Sequence, residues 1–93
     1  MLFMYIHTHS PERCMADKPQ ESAKMLMSVQ EESKKAGIKN LGSYVAAHEH
    51  TIYSILEADD VVKIEKAFLP LTMWGNARLI PIADMGQMAA AMR

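Results

Sequence analysis

The chain is poor in the residues that usually announce a chemistry. It has one cysteine, one tryptophan, two phenylalanines, and four each of glycine and proline among 93 residues. A single cysteine closes no internal disulfide, so stability must come from packing or association, and the free thiol fits a reducing compartment such as the cytoplasm. Charge of one sign is missing too: ten basic and eleven acidic residues leave a net charge of −1. That balance argues against a nucleic-acid partner, which calls for a basic face. No apolar run approaches the ~20 residues of a membrane span. The opening Met1-Leu2-Phe3-Met4-Tyr5-Ile6 lacks the basic leader and long apolar stretch of a secretion signal. There is no glycine-rich phosphate loop, dinucleotide fingerprint or Ser/His/Asp motif. The length allows one domain, and a domain this small buries little of its surface, which favours self-association.

Methionine and histidine are what the chain does have. Most of the nine methionines suit gap-filling in a core, with Met25, Met27, Met85, Met88 and Met92 at helical spacing. All four histidines fall in two H-x-H pairs, His7-Thr8-His9 and His48-Glu49-His50, and the lone Cys14 follows the first pair. On a strand, residues two apart face the same way, so such a pair is a ready two-toothed ligand. Imidazole suits Zn, Cu, Fe and Ni, and a thiolate adds affinity for Zn and Cu(I).

Alternation and turn signals divide the chain into elements. Leu2 to His9 reads as a strand with Leu2, Met4 and Ile6 on one face and Phe3, Tyr5, His7 and His9 on the other. After a polar loop, Asp17 and Gln20 resemble a capping box and Pro19 a first helical turn. A helix is expected over Pro19 to Ala36, with Ala23, Leu26, Val29, Ser33 and Ala36 on one face and Gly37 at its end. Leu41 to Ala47 and Thr51 to Glu57 are expected strands, joined by a hairpin whose tip carries His48 and His50. Asp59 is placed to cap a second helix over Asp60 to Leu69, closed by Pro70. Asn76 to Ile82 is the last strand, with Pro81 suited to an edge. The methionine-rich stretch from Asp84 to Arg93 reads as a tail with helical periodicity, separate from a domain of residues 1–83.

This order, β-α-β-β-α-β, specifies an α+β ferredoxin-like fold with a four-stranded antiparallel sheet. A right-handed crossover makes strands one and two parallel with strand three between them. The end of strand one, the end of strand two and the start of strand three then share one border of the sheet. His7, His9, Cys14, His48 and His50 are therefore expected to meet there, with Glu12 and Glu49 in reserve. Three of the five suffice for a transition ion, Zn, Ni, Cu or Fe, that keeps one position open.

The element order and the opening Met-Leu-Phe-Met-Tyr-Ile strand resemble the dimeric α/β-barrel superfamily, most of all its small, functionally unassigned members. The resemblance covers residues 1 to about 82 and implies a homodimer in which two sheets pack face to face. Its relatives include monooxygenases, muconolactone-isomerase-like proteins and haem-degrading enzymes. Haem-degrading members hold iron through a helix histidine, which neither expected helix has, and Trp74 and Asn76 match residue types used there without their order or setting. Three readings follow, of which the plainest is a ligand-binding or structural dimer in which the histidines are incidental. The second is a small homodimeric metal-binding protein using the histidine border. The third is a metal-free enzyme acting on a small-molecule ligand, with His7 or His9 as general base and Tyr5 or Cys14 beside it.

Overall fold

Strand β1 (Leu2–Thr8) sits at the centre of the sheet because both of its neighbours pair with it antiparallel. The computed structural model describes residues 1–93. In chain order β1 is followed by a 3₁₀ turn over Pro11–Arg13, helix α1 (Pro19–Lys35), strand β2 (Lys39–Ala46), a second 3₁₀ turn over Ala47–Glu49 and strand β3 (Thr51–Glu57). Helices α2 (Val61–Ala67) and α3 (Leu69–Trp74), strand β4 (Asn76–Ile82) and helix α4 (Met85–Ala91) complete it. The strands lie in the order β2-β3-β1-β4, an open four-stranded antiparallel sheet consistent with the ferredoxin-like fold.

Alternation along β1 decides which face meets the helices. Phe3, Tyr5 and His7 are buried while Leu2, Met4 and Ile6 are half-buried. Register extends this division, since paired residues point to the same face. Phe3 pairs Leu56, Tyr5 pairs Ser54 and His7 pairs Ile52, so these line the helix side. There Phe3, Tyr5, Leu56, Val29, Ile64, Phe68 and Leu71 form the core. Tyr5 rests against Phe68 with ring centroids 4.7 Å apart, and its hydroxyl shares a 2.8 Å hydrogen bond with Thr72 Oγ1. The opposite face carries Leu2, Met4, Ile6, Tyr53, Ile55, Ile80 and Ile82, all half-buried and covered by no helix.

Several local expectations need correction. No side chain caps α1, so Asp17 and Gln20 make no capping box, and Lys18 occupies the N-cap. Pro19 at the first turn needs no donor there, which makes the start viable without one. The chain leaves α1 through Gly37 at φ +76, the left-handed position that favours glycine. Asp60, one residue later than expected, caps α2 by accepting from the Val62 N–H at 2.9 Å. Asp59 instead pairs with Lys63 at 3.1 Å. Pro70 does not close the second helix. The turn at Phe68 ends α2, and Pro70 lies in the first turn of α3, where its missing N–H costs nothing. Strand β2 begins earlier than Leu41, at Lys39, and ends at Ala46.

The face of α1 also differs. Ser22, Met25, Val29, Ser33 and Ala36 turn inward, whereas Ala23 is exposed and Leu26 is 41% exposed. Its main packing is on α2 and α3. A cavity of about 900 Å³ separates α1 from the β2–β3 half of the sheet. Helix α4 buries none of its residues, and Met85, Met88 and Met92 are exposed along it. No helix is long and apolar enough to cross a membrane.

Candidate metal centre

The C-terminal end of β1 carries the first histidine pair into the interior. His7 is fully buried and His9 nearly so, at 9% exposure. Strand pairing stops at Thr8, but the His9 N–H still donates to the His50 carbonyl at 3.2 Å. That bond ties the end of β1 to the start of β3. His50 follows the Ala47–Glu49 turn in a left-handed conformation, φ 50 and ψ 43. A hairpin tip of strand geometry would have set His48 and His50 on one face. The 3₁₀ turn followed by a left-handed residue breaks that alternation, leaving His48 exposed while His50 is half-buried beside His9. The rings of His9 and His50 meet edge to face, with centroids 5.3 Å apart.

The loop after β1 brings the thiol. Cys14, free and half-buried, donates its backbone N–H to the Pro11 carbonyl as the Pro11–Arg13 turn closes. Trp74, at the end of α3, anchors this loop by donating from Nε1 to the Arg13 carbonyl at 2.6 Å. Its indole stacks on His9 with centroids 4.2 Å apart and on His7 at 4.7 Å. The next residue must be small. A Cβ on Gly75 would fall on the Thr8 carbonyl oxygen and lie 3.0 Å from His7 Cε1 and 3.1 Å from His9 Cβ. Gly75 thus lets the chain press the indole onto the histidines. Sequence reasoning did not place Trp74 or Gly75 here; the one available signal was a lone tryptophan beside a glycine between two elements.

Of the five expected residues, the structure brings three together: the ligand atoms of His9, Cys14 and His50 all lie within 4.8 Å of one another. His7 stands behind them, its Nε2 3.1 Å from His9 Nδ1. His48 stays outside the group. His9 Nε2 is buried with no hydrogen-bond partner, as is His7 Nδ1. An orphaned buried nitrogen of this kind is costly unless something bonds to it.

Burial sets the protonation of the pair. It pushes the His7 imidazole down to about 4, and the charge on a protonated His9 adds to this. His9 is also lowered, first by burial and then by the neighbouring His50. Both rings are therefore neutral at pH 7, the form in which imidazole binds metals. Burial raises the Tyr5 phenol, against the opposing hydrogen bond to Thr72.

The donor set suits a transition ion. Two imidazoles and one thiol are soft to borderline ligands of the kind Zn and Cu(I) take, and three protein donors leave a tetrahedral ion one open position. His9 Nε2 would be free to hold an ion, and the neutral ring would then keep its proton on Nδ1, within hydrogen-bond distance of His7 Nε2. This is the outer hydrogen bond that commonly orients a ligating histidine. The cavity borders the group directly, since His9, Cys14, Met15 and Trp74 are part of its wall.

Over residues 1–93 the chain matches the family described as Domain of unknown function (DUF3303). The chain belongs to that family. No curated protein matches it. As a DUF3303 protein, it combines an open four-stranded sheet with a histidine and cysteine cluster at one end of the central strand.

Proposed function

We propose that this DUF3303 domain binds one transition-metal ion per chain through His9, Cys14 and His50, and works as a cytoplasmic homodimer. The observation that carries the reading is the convergence of three donor atoms within 4.8 Å from three separate segments, the end of β1, the following loop and the start of β3. The orphaned His9 Nε2 supports it, because an ion supplies the missing partner. In this reading His7 orients His9, Trp74 shields the rings from water, and a ligating thiolate requires a reducing compartment. His48 has no part in the site.

Support for the dimer comes from the bare sheet face, with seven half-buried apolar side chains that a second sheet would cover, as in the superfamily the sequence resembles. Bound metal would serve as a Lewis acid at its open position or as stored cargo.

The test is elemental analysis of untagged protein, with thermal unfolding before and after adding Zn, Ni or Cu. One ion per chain and a raised Tm are expected. Cys14→Ser and His50→Ala should each weaken binding by about tenfold or more, and His48→Ala should leave it unchanged. Trace metal in the wild type with an unmoved Tm would overturn the proposal. A second reading, a metal-free enzyme with His9 as base, draws on the adjoining cavity. It predicts turnover that survives chelation.

A further inference from the structure

The chemistry of the donors narrows the choice of ion. The imidazoles of His9 and His50 and the thiol of Cys14 converge with no carboxylate among them. Glu12 and Glu49, the acidic residues nearest to them in sequence, are both exposed. Two histidines and one cysteine are the trigonal donor set of copper centres that pass single electrons. An ion with bonds of about 2.0–2.3 Å needs its three donors about 3.5–4 Å apart. The donor atoms already lie within 4.8 Å of one another, so only a small closure is required.

Charge favours the reduced ion. A thiolate with two neutral imidazoles carries a single negative charge, so Cu(I) leaves the filled site neutral, whereas a divalent ion leaves it positive. No carboxylate of the chain is buried to offset that charge, and His9 and Cys14 border a mostly apolar cavity. An unpaired charge in such surroundings is costly.

The donors are also held independently of any ion. The backbone N–H groups of His9, His50 and Cys14 donate to the carbonyls of His50, Ala47 and Pro11, each at 3.2 Å. Trp74 clamps the group by stacking on His9 and donating to the Arg13 carbonyl, next to Cys14. Ligands fixed in this way rearrange little when the ion gains or loses an electron, which lowers the barrier to transfer.

We infer that His9, Cys14 and His50 form a mononuclear copper centre that cycles between Cu(I) and Cu(II), exchanging single electrons with a soluble one-electron carrier. The inference rests on the metal reading, and names the ion and what it does. On oxidation the copper gives one electron to the carrier, and on reduction it takes one back. The three donor bonds persist, and no proton is exchanged. His50 is half-buried, so one imidazole separates the ion from a carrier at the surface.

The test loads untagged protein with Cu(I) anaerobically and oxidises it with one equivalent of ferricyanide. Oxidation should bring up an intense visible thiolate-to-Cu(II) absorption, with narrow copper hyperfine splitting in electron paramagnetic resonance. Ascorbate should bleach the band, and more ferricyanide should restore it. Cys14→Ser should lose the band at copper concentrations that still fill the site, and His48→Ala should keep it. Only the weak absorption of Cu(II) on imidazoles would overturn this inference. So would loss of the oxidant's electrons to two Cys14 thiols, one electron leaving each sulfur as they join in a disulfide between chains. In either case, one Zn or Cu(I) held per chain would leave the metal reading intact. Failure to hold either ion would remove both.

Discussion

Acid should unfold this protein through His7 before its carboxylates titrate fully. The imidazole is fully buried, behind Trp74 and beside His9, and is held at about 4 against 6.5 for a free imidazole. The folded value lies below the unfolded one, so between these pH values the unfolded chain takes up a proton that the native chain refuses. Stability is then fully present above about pH 6.5, falls as pH drops, and levels off below about 4 once both states are protonated. The gap, at about 1.4 kcal/mol per tenfold change in affinity, is about 3 kcal/mol. A domain of this size has roughly 5–15 kcal/mol in all, so the loss is a large share. The assay is urea unfolding of metal-free protein followed by circular dichroism, from pH 7.5 to 4, for wild type and His7→Gln. Carboxylates such as Asp59, remote from the pair, titrate alike in both proteins, so subtraction isolates His7 together with its coupling to His9. A wild-type slope between pH 6.5 and 4 equal to that of the variant would refute the reasoning.

Other outcomes follow from the same geometry. Gly75→Ala should cost about 1–3 kcal/mol by overpacking against Thr8, His7 and His9, with metal affinity falling too; an unchanged Tm would mean the Gly75 contact is slack. Asp60→Ala, which removes the cap of α2, should cost about 1 kcal/mol in chemical denaturation, whereas Asp59→Ala should cost less because its lysine pair is exposed. Ile6→Glu on the bare sheet face should shift light-scattering mass from dimer to monomer, and a wild type that is already monomeric at high concentration would dismiss the dimer. Metal affinity of the wild type should decline as pH falls from 7 to 5, since protons compete for His9, Cys14 and His50; competition titration with a chromophoric chelator reads it.

The sheet was readable because its signal is strictly local. Thr51–Glu57 and Asn76–Ile82 emerge with their observed bounds, and the two faces of β1 follow from a period of two. Topology then carried distant histidines to one border, as the crossover rule requires. What failed to read were features set by backbone geometry at single residues. Nothing in His48-Glu49-His50 announces a 3₁₀ turn ended by a left-handed histidine, so the two rings looked equivalent when one faces solvent. Pro70 is ambiguous in the same way, since proline both ends helices and begins them. The height of α1 above the sheet is a further case. Helical spacing marks an inward face, but not whether that face meets side chains or an open cavity, and the exposure of Leu26 follows from that distance. Trp74 lay outside any periodic pattern.

The left-handed backbone of His50 has a consequence for how the site is kept. Imidazole residues adopt that conformation more readily than branched ones, yet it still costs on the order of 1 kcal/mol that glycine would spare. His50→Gly should accordingly melt later in the metal-free state while gripping ions more weakly. Fold and ligand thus pull in opposite directions at one position, and selection for robustness alone would erase the imidazole.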